Sequence, residues 1–424
     1  MLEEEPPPPE EPPPPPPAAP SARCARRLLG DAVCRCAMLR FMVAVRYQLR
    51  RSCALAGAFF RQNSKQLAAT TTTRRSAANL AAAAAAHRQD SAMSALCIAA
   101  TACTTAISGG VPTVTLNNGL AMPVIALGTA GYDNATAAAA VKTAFAAGVT
   151  HVHAAFDYFN LPGVGRGLAA APAGRASYFL TGMTSPCIHP AAPPKRNVTD
   201  PAACEALTSA EVDTTLKLLG VQHVDLLLLH GPSAPFGSTD GCSPEVCAVN
   251  AAQWRAYESA LAAGKAKAIG VSNFCQSCFE CLAGAGVTVP AVNQIQLHVG
   301  TGADPEGLVS YHKAHGIVTQ AYAPLAAGEV VSDPLATAVA ATLPPSAAGK
   351  PRSAAQVGLR WVLQSPAAGA GRMTLVVKAD NPEYLAEDLD VFGWELPNAA
   401  VRQLDAATTP KGQQDGRPSW GCAK

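Results

Sequence analysis

Charge and aromatic side chains are scarce in this chain: of its 424 residues 15 % are charged and 5 % aromatic. The formal net charge is only +2, so no global polyelectrolyte role is implied. No apolar run reaches the length of about eighteen residues that a membrane-spanning helix needs. No Gly-x-Gly-x-x-Gly follows the first strand candidate, which argues against a doubly wound dinucleotide-binding sheet. The 14 cysteines are too few to build a disulfide scaffold over this length, yet too many to pass over.

The hydrophobic content, 49 %, is enough for a substantial core. Charge is segregated along the chain. Residues 1–20 carry five Glu and no base, and residues 6–20 are nearly all Pro, the composition of an extended polyproline or disordered segment. Residues 21–92 carry twelve Arg and one Lys against Asp31 and Asp90, which leaves −4 for residues 93–424. An Arg-, Ala-, Ser- and Thr-rich, acid-poor stretch is the composition of an organelle transit segment. Nucleic-acid binding is the rival reading, but no interleaved aromatics support it, and translated upstream sequence without a function is the third. Met93 begins MSALCIAATACTTAISGG, an uncharged run ending in small residues like a secretory signal. Residues 1–109 are thus expected to be a disordered or targeting extension, and 110–424 the folded domain. Cytoplasmic, organellar and secreted locations all stay open.

From Val111 the texture changes. VTLNNGLAMPVIALGT contains an Asn-Asn-Gly turn between strand-like runs, a β-hairpin signal. Eight strands are then expected, at Val124–Gly128, Thr150–His153, Tyr178–Thr181, His223–His230, Ala268–Ser272, Ala291–Gln296, Ile317–Ala321 and Met373–Val377. Helical stretches lie between them, at Thr136–Ala147, Ala202–Leu219, Ala248–Ala263, Pro305–Ala314 and Ser353–Gln364. Strands alternating with helices in this number predict an α/β fold, a (β/α)8 TIM barrel with an N-terminal β-hairpin. In such a barrel the chemistry sits at the C-terminal ends of the strands.

Those ends read HVHAAFDYFN, DLLLLHGP, GVSNF, VNQIQLH, QAYAPLA and VVKADNPEYLAEDL in chain order. The ordered set, from about Val111 to Leu404, resembles the aldo-keto reductase family. The resemblance implies an NADP(H)-dependent reductase, with NAD(H) as the possible alternative, acting on a small-molecule aldehyde or ketone. It implies a monomer, with no nucleic-acid or membrane partner. It also implies a tetrad: a Tyr that gives a proton to the carbonyl oxygen, a Lys that lowers its pKa, an Asp that holds the Lys, and a His that orients the carbonyl. A free phenol, with a pKa near ~10, needs such a cation beside it to exchange a proton at neutral pH.

The match is partial. Tyr158 falls on the proton donor and His230 on the orienting His, but His153 stands at the Asp position. The Lys position falls on Gly182 or Met183, according to a one-residue choice of register. His153 is weighed as a replacement cation and expected to be neutral. Asp157 adjoins Tyr158 and is expected to point elsewhere. On the cofactor side Gly128, Thr129, Ser272, Asn273, Gln294 and Tyr322 match positions that hold the nicotinamide half, with Tyr322 stacking on the ring. Lys378 matches the Lys that meets the 2′-phosphate. Tyr384 replaces an Arg and keeps a face for adenine, and Asp388 completes the set. The alternative function is a nucleotide-binding protein of the same fold with little or no turnover. Cys187, Cys204, Cys242, Cys247, Cys275, Cys278, Cys281 and Cys422 leave three readings open: free thiols, disulfides bracing the mouth loops, or a zinc site on CQSCFEC. The Asn197-Val198-Thr199 sequon would fit the second.

Overall fold

The computed structural model describes residues 111–189, 195–234, 242–284, 288–365, 367, 372–412 and 419; the extension expected at 1–109 lies outside them. Strands β1 (Thr113–Thr115) and β2 (Ala121–Pro123) form the antiparallel hairpin expected around Asn117-Asn118-Gly119. Asn117 donates from Nδ2 to Pro290 O at 3.2 Å, and Asn118 donates to Lys267 O at 2.9 Å. These carbonyls lie at the N-terminal ends of barrel strands, so the hairpin closes the bottom of the barrel.

Eight strands make that barrel: β3 (Ile125–Gly128), β4 (His151–Ala155), β5 (Phe179–Thr184), β8 (Val224–Leu229), β9 (Ala266–Ser272), β10 (Val292–Gln296), β11 (Val318–Tyr322) and β12 (Met373–Val377). All adjacent pairs are parallel and the sheet closes in the order β10-β11-β12-β3-β4-β5-β8-β9. A short antiparallel pair, β6 (Ile188–His189) and β7 (Arg196–Asn197), lies over the mouth after β5. The helices are α1 (Asn134–Ala147), α2 (Leu161–Leu168), α3 (Pro201–Leu219), α4 (Pro244–Ala262), α5 (Gln276–Gly284), α6 (Leu308–Ala314), α7 (Pro334–Thr342), α8 (Ala354–Leu363), α9 (Pro382–Leu389) and α10 (Asn398–Asp405).

The strands are buried along nearly their whole length, as parallel strands with covered faces must be. Helix starts follow local chemistry: Asp133, Asp200 and Asp333 each accept a backbone N–H as N-caps, and Ser353 with Gln356 forms a capping box. Helix α2, which sequence reading did not anticipate, is LPGVGRGL. Its glycines exist for contact: a Cβ on Gly163 would meet Asn134 O at 2.2 Å, and one on Gly165 would meet Leu219 O at 2.7 Å. Helix α2 is thereby wedged between the start of α1 and the end of α3.

The lumen of the barrel is polar. His151 Nε2 pairs with Thr181 Oγ1 at 2.8 Å, and one step higher Gln294 bridges His153 and Gln320. Strands β4 and β10 lie on opposite sides of the closed sheet, so the Gln294–His153 bond crosses the lumen.

Candidate active site

The site is built where β4 runs out. Its last residues turn through a 3-10 segment, Phe156–Tyr158, and Phe159 follows at φ 57°. Asn160 holds this reversal in place. Its buried Nδ2 donates to Thr129 O at 2.7 Å and to Tyr132 O at 3.0 Å, which ties the turn to the loop after β3. Thr129 in turn donates from Oγ1 to His153 O at 3.0 Å.

Across the mouth, His230 follows β8. Its N–H donates to Thr184 O at 3.0 Å and its carbonyl accepts from Asn273 Nδ2 at 2.8 Å, which fixes the residue between β5 and β9. The His230 and Tyr158 rings meet edge to face with centroids 5.5 Å apart. Asn273 adopts φ 58° and Ala323 φ 47°, left-handed conformations that Asn tolerates and that are uncommon for Ala. Tyr322 donates from its hydroxyl to Asn273 Oδ1 at 3.0 Å, and Ser272 Oγ accepts from Asn273 at 3.0 Å. Tyr158, His230, Ser272, Asn273 and Tyr322 therefore form one contiguous corner, with Thr129 joined to it through His153.

The residues matched to the adenosine end lie apart from this corner. Lys378 follows β12 and carries its Nζ 4.7 Å from the centre of the Tyr132 ring, over Gly131. A Cβ on Gly131 would come within 3.2 Å of that ammonium. Gly128 permits close packing of β3 on β12, since its Cβ would sit 2.7 Å from Val376 Cγ1. Tyr384 is 60 % exposed on α9, whereas Asp388 is buried on the same helix. Burial and the neighbouring Glu387 push the Asp388 carboxyl up to about 7.

Three questions that the sequence raised find their geometry here. A Cβ on Gly182 would point outward, to within 3.2 Å of Val224 Cγ1 and 3.6 Å of Thr215 Cγ2 on α3. By strand alternation Met183 is the residue of β5 that faces the lumen, fully buried and paired with Ala155. His153 accepts from Gln294 at Nε2 over 2.9 Å, and its buried Nδ1 has no partner beyond its own backbone. Burial, reinforced by His151 and His230, lowers its pKa to about 3, so it is neutral and supplies no cation to Tyr158. Burial first, then Asp157 and Tyr322, raises the Tyr158 phenol well above its ordinary value.

Asp157 has a definite partner. Its carboxylate turns toward His230, with both oxygens 2.8 Å from Nδ1. The one available signal was a carboxylate immediately before a Tyr at a strand end; nothing in one sequence shows which way a 3-10 turn will aim it. Gln294 likewise spends its amide inside the barrel, donating to His153 and, at 2.7 Å, to Gln320 Oε1.

Six of the described cysteines pair in disulfides, Cys187–Cys204, Cys242–Cys278 and Cys247–Cys281, with Cα separations of 5.8, 5.1 and 5.1 Å, while Cys422 lies outside the described residues. Cys275 is disulfide-bonded as well. No group of three or more His, Cys, Asp or Glu among the described residues is placed to hold a metal ion, so CQSCFEC does not form the zinc site considered for it. The bridges bind the residue before the N-cap of α4 and the first turn of α4 to α5, and the segment after β5 to α3, all at the mouth.

A polar corner at the C-terminal end of a (β/α)8 barrel, with a Tyr–His pair beside an Asn and a second Tyr, is the arrangement of a barrel oxidoreductase. The Aldo/keto reductase family model matches residues 124–409, and this chain belongs to that family. It is 33 % identical over 314 residues to Morphine 6-dehydrogenase of Pseudomonas putida, covering 72 % of this chain and 93 % of the relative. It is equally 33 % identical, over 295 residues, to an aldo-keto reductase of Mycobacterium tuberculosis, covering 70 % of this chain and 89 % of that one. Among solved structures, an aldo/keto reductase from Brucella melitensis superposes with TM-score 0.56 at 29 % identity, covering 71 % of this chain and 99 % of that one. A Gox0644 mutant in complex with NADPH superposes with TM-score 0.57 at 28 % identity, covering 73 % and 98 %. The chain is therefore an oxidoreductase barrel whose structural neighbours include nicotinamide complexes. No described helix is long and apolar enough to cross a membrane.

Proposed function

We propose that this protein reduces an aldehyde or ketone with NADPH, the carbonyl oxygen lying between Tyr158 and His230. The observation that carries this reading is the contiguous corner of Tyr158, His230, Asn273 and Tyr322 at the barrel mouth. The residues present fit a nicotinamide dinucleotide. Asn273 is held with a fixed amide, Tyr322 offers a flat ring beside it, and Lys378 places an exposed cation over a loop of small residues where a phosphate would lie. When bound, that cofactor supplies hydride. Tyr158, whose phenol keeps its proton over the working pH range, offers an O–H to the developing alkoxide.

The difference from the family pattern lies beneath Tyr158. A neutral His153 and a buried Met183 stand where a carboxylate and an ammonium would otherwise pair. Loss of both together avoids an unpaired buried charge. The test pairs NADPH oxidation over a panel of reactive aldehydes with quenching of Trp fluorescence by the cofactor. Binding with turnover that is lost in Tyr158→Phe supports the reading. Binding without turnover on any carbonyl defeats it and leaves a nucleotide-binding protein, and no binding defeats both. The double variant His153→Asp with Met183→Lys is expected to raise the turnover rate, because it returns a cation to Tyr158.

A further inference from the structure

We propose that Asp157 is a positioning residue that makes His230 the proton donor of the reaction, an assignment that rests on the carbonyl-reductase reading above. The carboxylate sits 2.8 Å from His230 Nδ1 through both oxygens, and its side chain is only 8 % exposed. His230 is the one ion-pair partner that the described residues give to Asp157. A carboxylate accepts from Nδ1–H, so it selects the tautomer in which Nε2 is the exchanging nitrogen. The backbone of His230 is clamped on both sides, by Thr184 and by Asn273, so the ring has a fixed pivot. Among the described residues, the titratable groups near this ring include Asp157 and Tyr158 from the turn after β4, His153 from β4 and His189 from β6.

Tyr158 is badly placed to give up a proton itself. Met183 stands in the lumen beside Ala155 where a cation would lie, and Asp157, its neighbour in sequence, opposes a negative phenolate. The phenol is a hydrogen-bond donor to the reacting oxygen, and the proton comes from the second ring at the same corner. The balance closes. The carbonyl carbon receives hydride, two electrons and a proton's mass, from the reduced nicotinamide, which is oxidised. The π pair of the C=O moves onto oxygen. The Nε2–H bond of the His230 imidazolium breaks, its proton passes to that oxygen, and the product is an alcohol. Neutral His230 keeps Nδ1–H on Asp157 and recovers its Nε2 proton from solvent. In the reverse direction the same neutral imidazole is the base that accepts the alcohol proton.

The test reads the imidazole directly and then the rate. Nitrogen-15 NMR of the unliganded protein, with His230 assigned by loss of its signals in His230→Gln, reports which nitrogen carries the proton. The proposal expects Nδ1 to carry a proton at neutral pH in the wild type, in the neutral ring and in the imidazolium alike, and a shift of the neutral ring toward Nε2–H in Asp157→Asn. It expects kcat in Asp157→Asn to fall by about 10²-fold or more, while KM and the NADPH Kd stay within about threefold, and Asp157→Glu to recover part of the loss. An Nε2–H tautomer in the wild type overturns the proposal, whatever the turnover. So does an Asp157→Asn variant with wild-type kcat. A protein that turns over no carbonyl but shows the Nδ1–H tautomer and its shift in Asp157→Asn retains the pair while the reductase reading fails. Should Asp157→Asn not fold, the wild-type tautomer and the Asp157→Glu rate decide.

Discussion

Lowering the pH from 7.5 to 5 should destabilise this barrel through its buried histidines, and the size of the effect follows from their burial. His151, His153 and His312 are at most 1 % exposed, and burial lowers them to about 4, about 3 and about 3. Their partners require the neutral ring. Asn293 donates to His312 Nε2 at 2.9 Å while Nδ1 faces Thr319 Oγ1 at 2.8 Å, and Gln294 donates to His153 Nε2. Each group has a folded pKa below its unfolded value of about 6.5, so the unfolded chain binds more protons and stability falls as pH drops below about 6.5. At pH 5 the loss is set almost wholly by the unfolded titration: about 2 kcal/mol for each His, roughly 6 kcal/mol for three. Asp388, raised to about 7, works in the opposite sense. It is protonated in the folded chain at pH 5 and returns about 2.5 kcal/mol, leaving a net loss of about 3–4 kcal/mol, or on the order of 10 °C in Tm. Thermal unfolding followed by circular dichroism at the two pH values measures this. In His312→Gln the pH-dependent loss should shrink by about 2 kcal/mol, whatever the variant's own baseline. Equal Tm at pH 7.5 and 5, or an unchanged pH slope in His312→Gln, would refute the reasoning.

The disulfides should matter to stability in proportion to the loops they close. Cys187→Ser with Cys204→Ser opens a 17-residue separation and should cost about 3 kcal/mol in denaturant unfolding, and loss of the 36-residue Cys242–Cys278 closure about 4 kcal/mol. The Cys242–Cys278 and Cys247–Cys281 loops overlap in sequence, so removing both should cost less than the sum of the two. Thiol counting in denaturant without reductant should find Cys187, Cys204, Cys242, Cys247, Cys278 and Cys281 unreactive; reaction of these six would sink the bridged mouth. Lys378→Ala should weaken NADPH by about tenfold or more and NADH far less, read by fluorescence titration; equal weakening of both would remove Lys378 from a 2′-phosphate contact.

Much of the barrel was legible because parallel strands buried on both faces are written as short apolar runs. DLLLLH is β8 within a residue or two. Helix α2 was hidden because LPGVGRGL has poor helix propensity; its glycines serve close contact with α1 and α3, a tertiary fact absent from local sequence. Pro305–Ala314 was read as one helix but is a 3-10 turn followed by α6, broken at Glu306, whose φ is 55°. At the site, Tyr158, His230, Asn273 and Tyr322 were legible through the family resemblance, and each lies at or within three residues of a strand's C-terminal end, on one face of a barrel. The choice between Gly182 and Met183 was not, since it turns on the pleat of β5, and a one-residue shift exchanges lumen for exterior. The direction of Asp157 was hidden for a related reason: a 3-10 turn has neither helix nor strand periodicity to read.

The most direct measurement on the central claim uses NADPH deuterated on the transferring face of its nicotinamide, with mass spectrometry of the alcohol formed from the best aldehyde of the panel. The account predicts one deuterium on the former carbonyl carbon with wild-type protein, and none above background with His230→Gln or Tyr158→Phe. Cofactor that binds, quenches Trp fluorescence and yields no labelled alcohol on any carbonyl would contradict it.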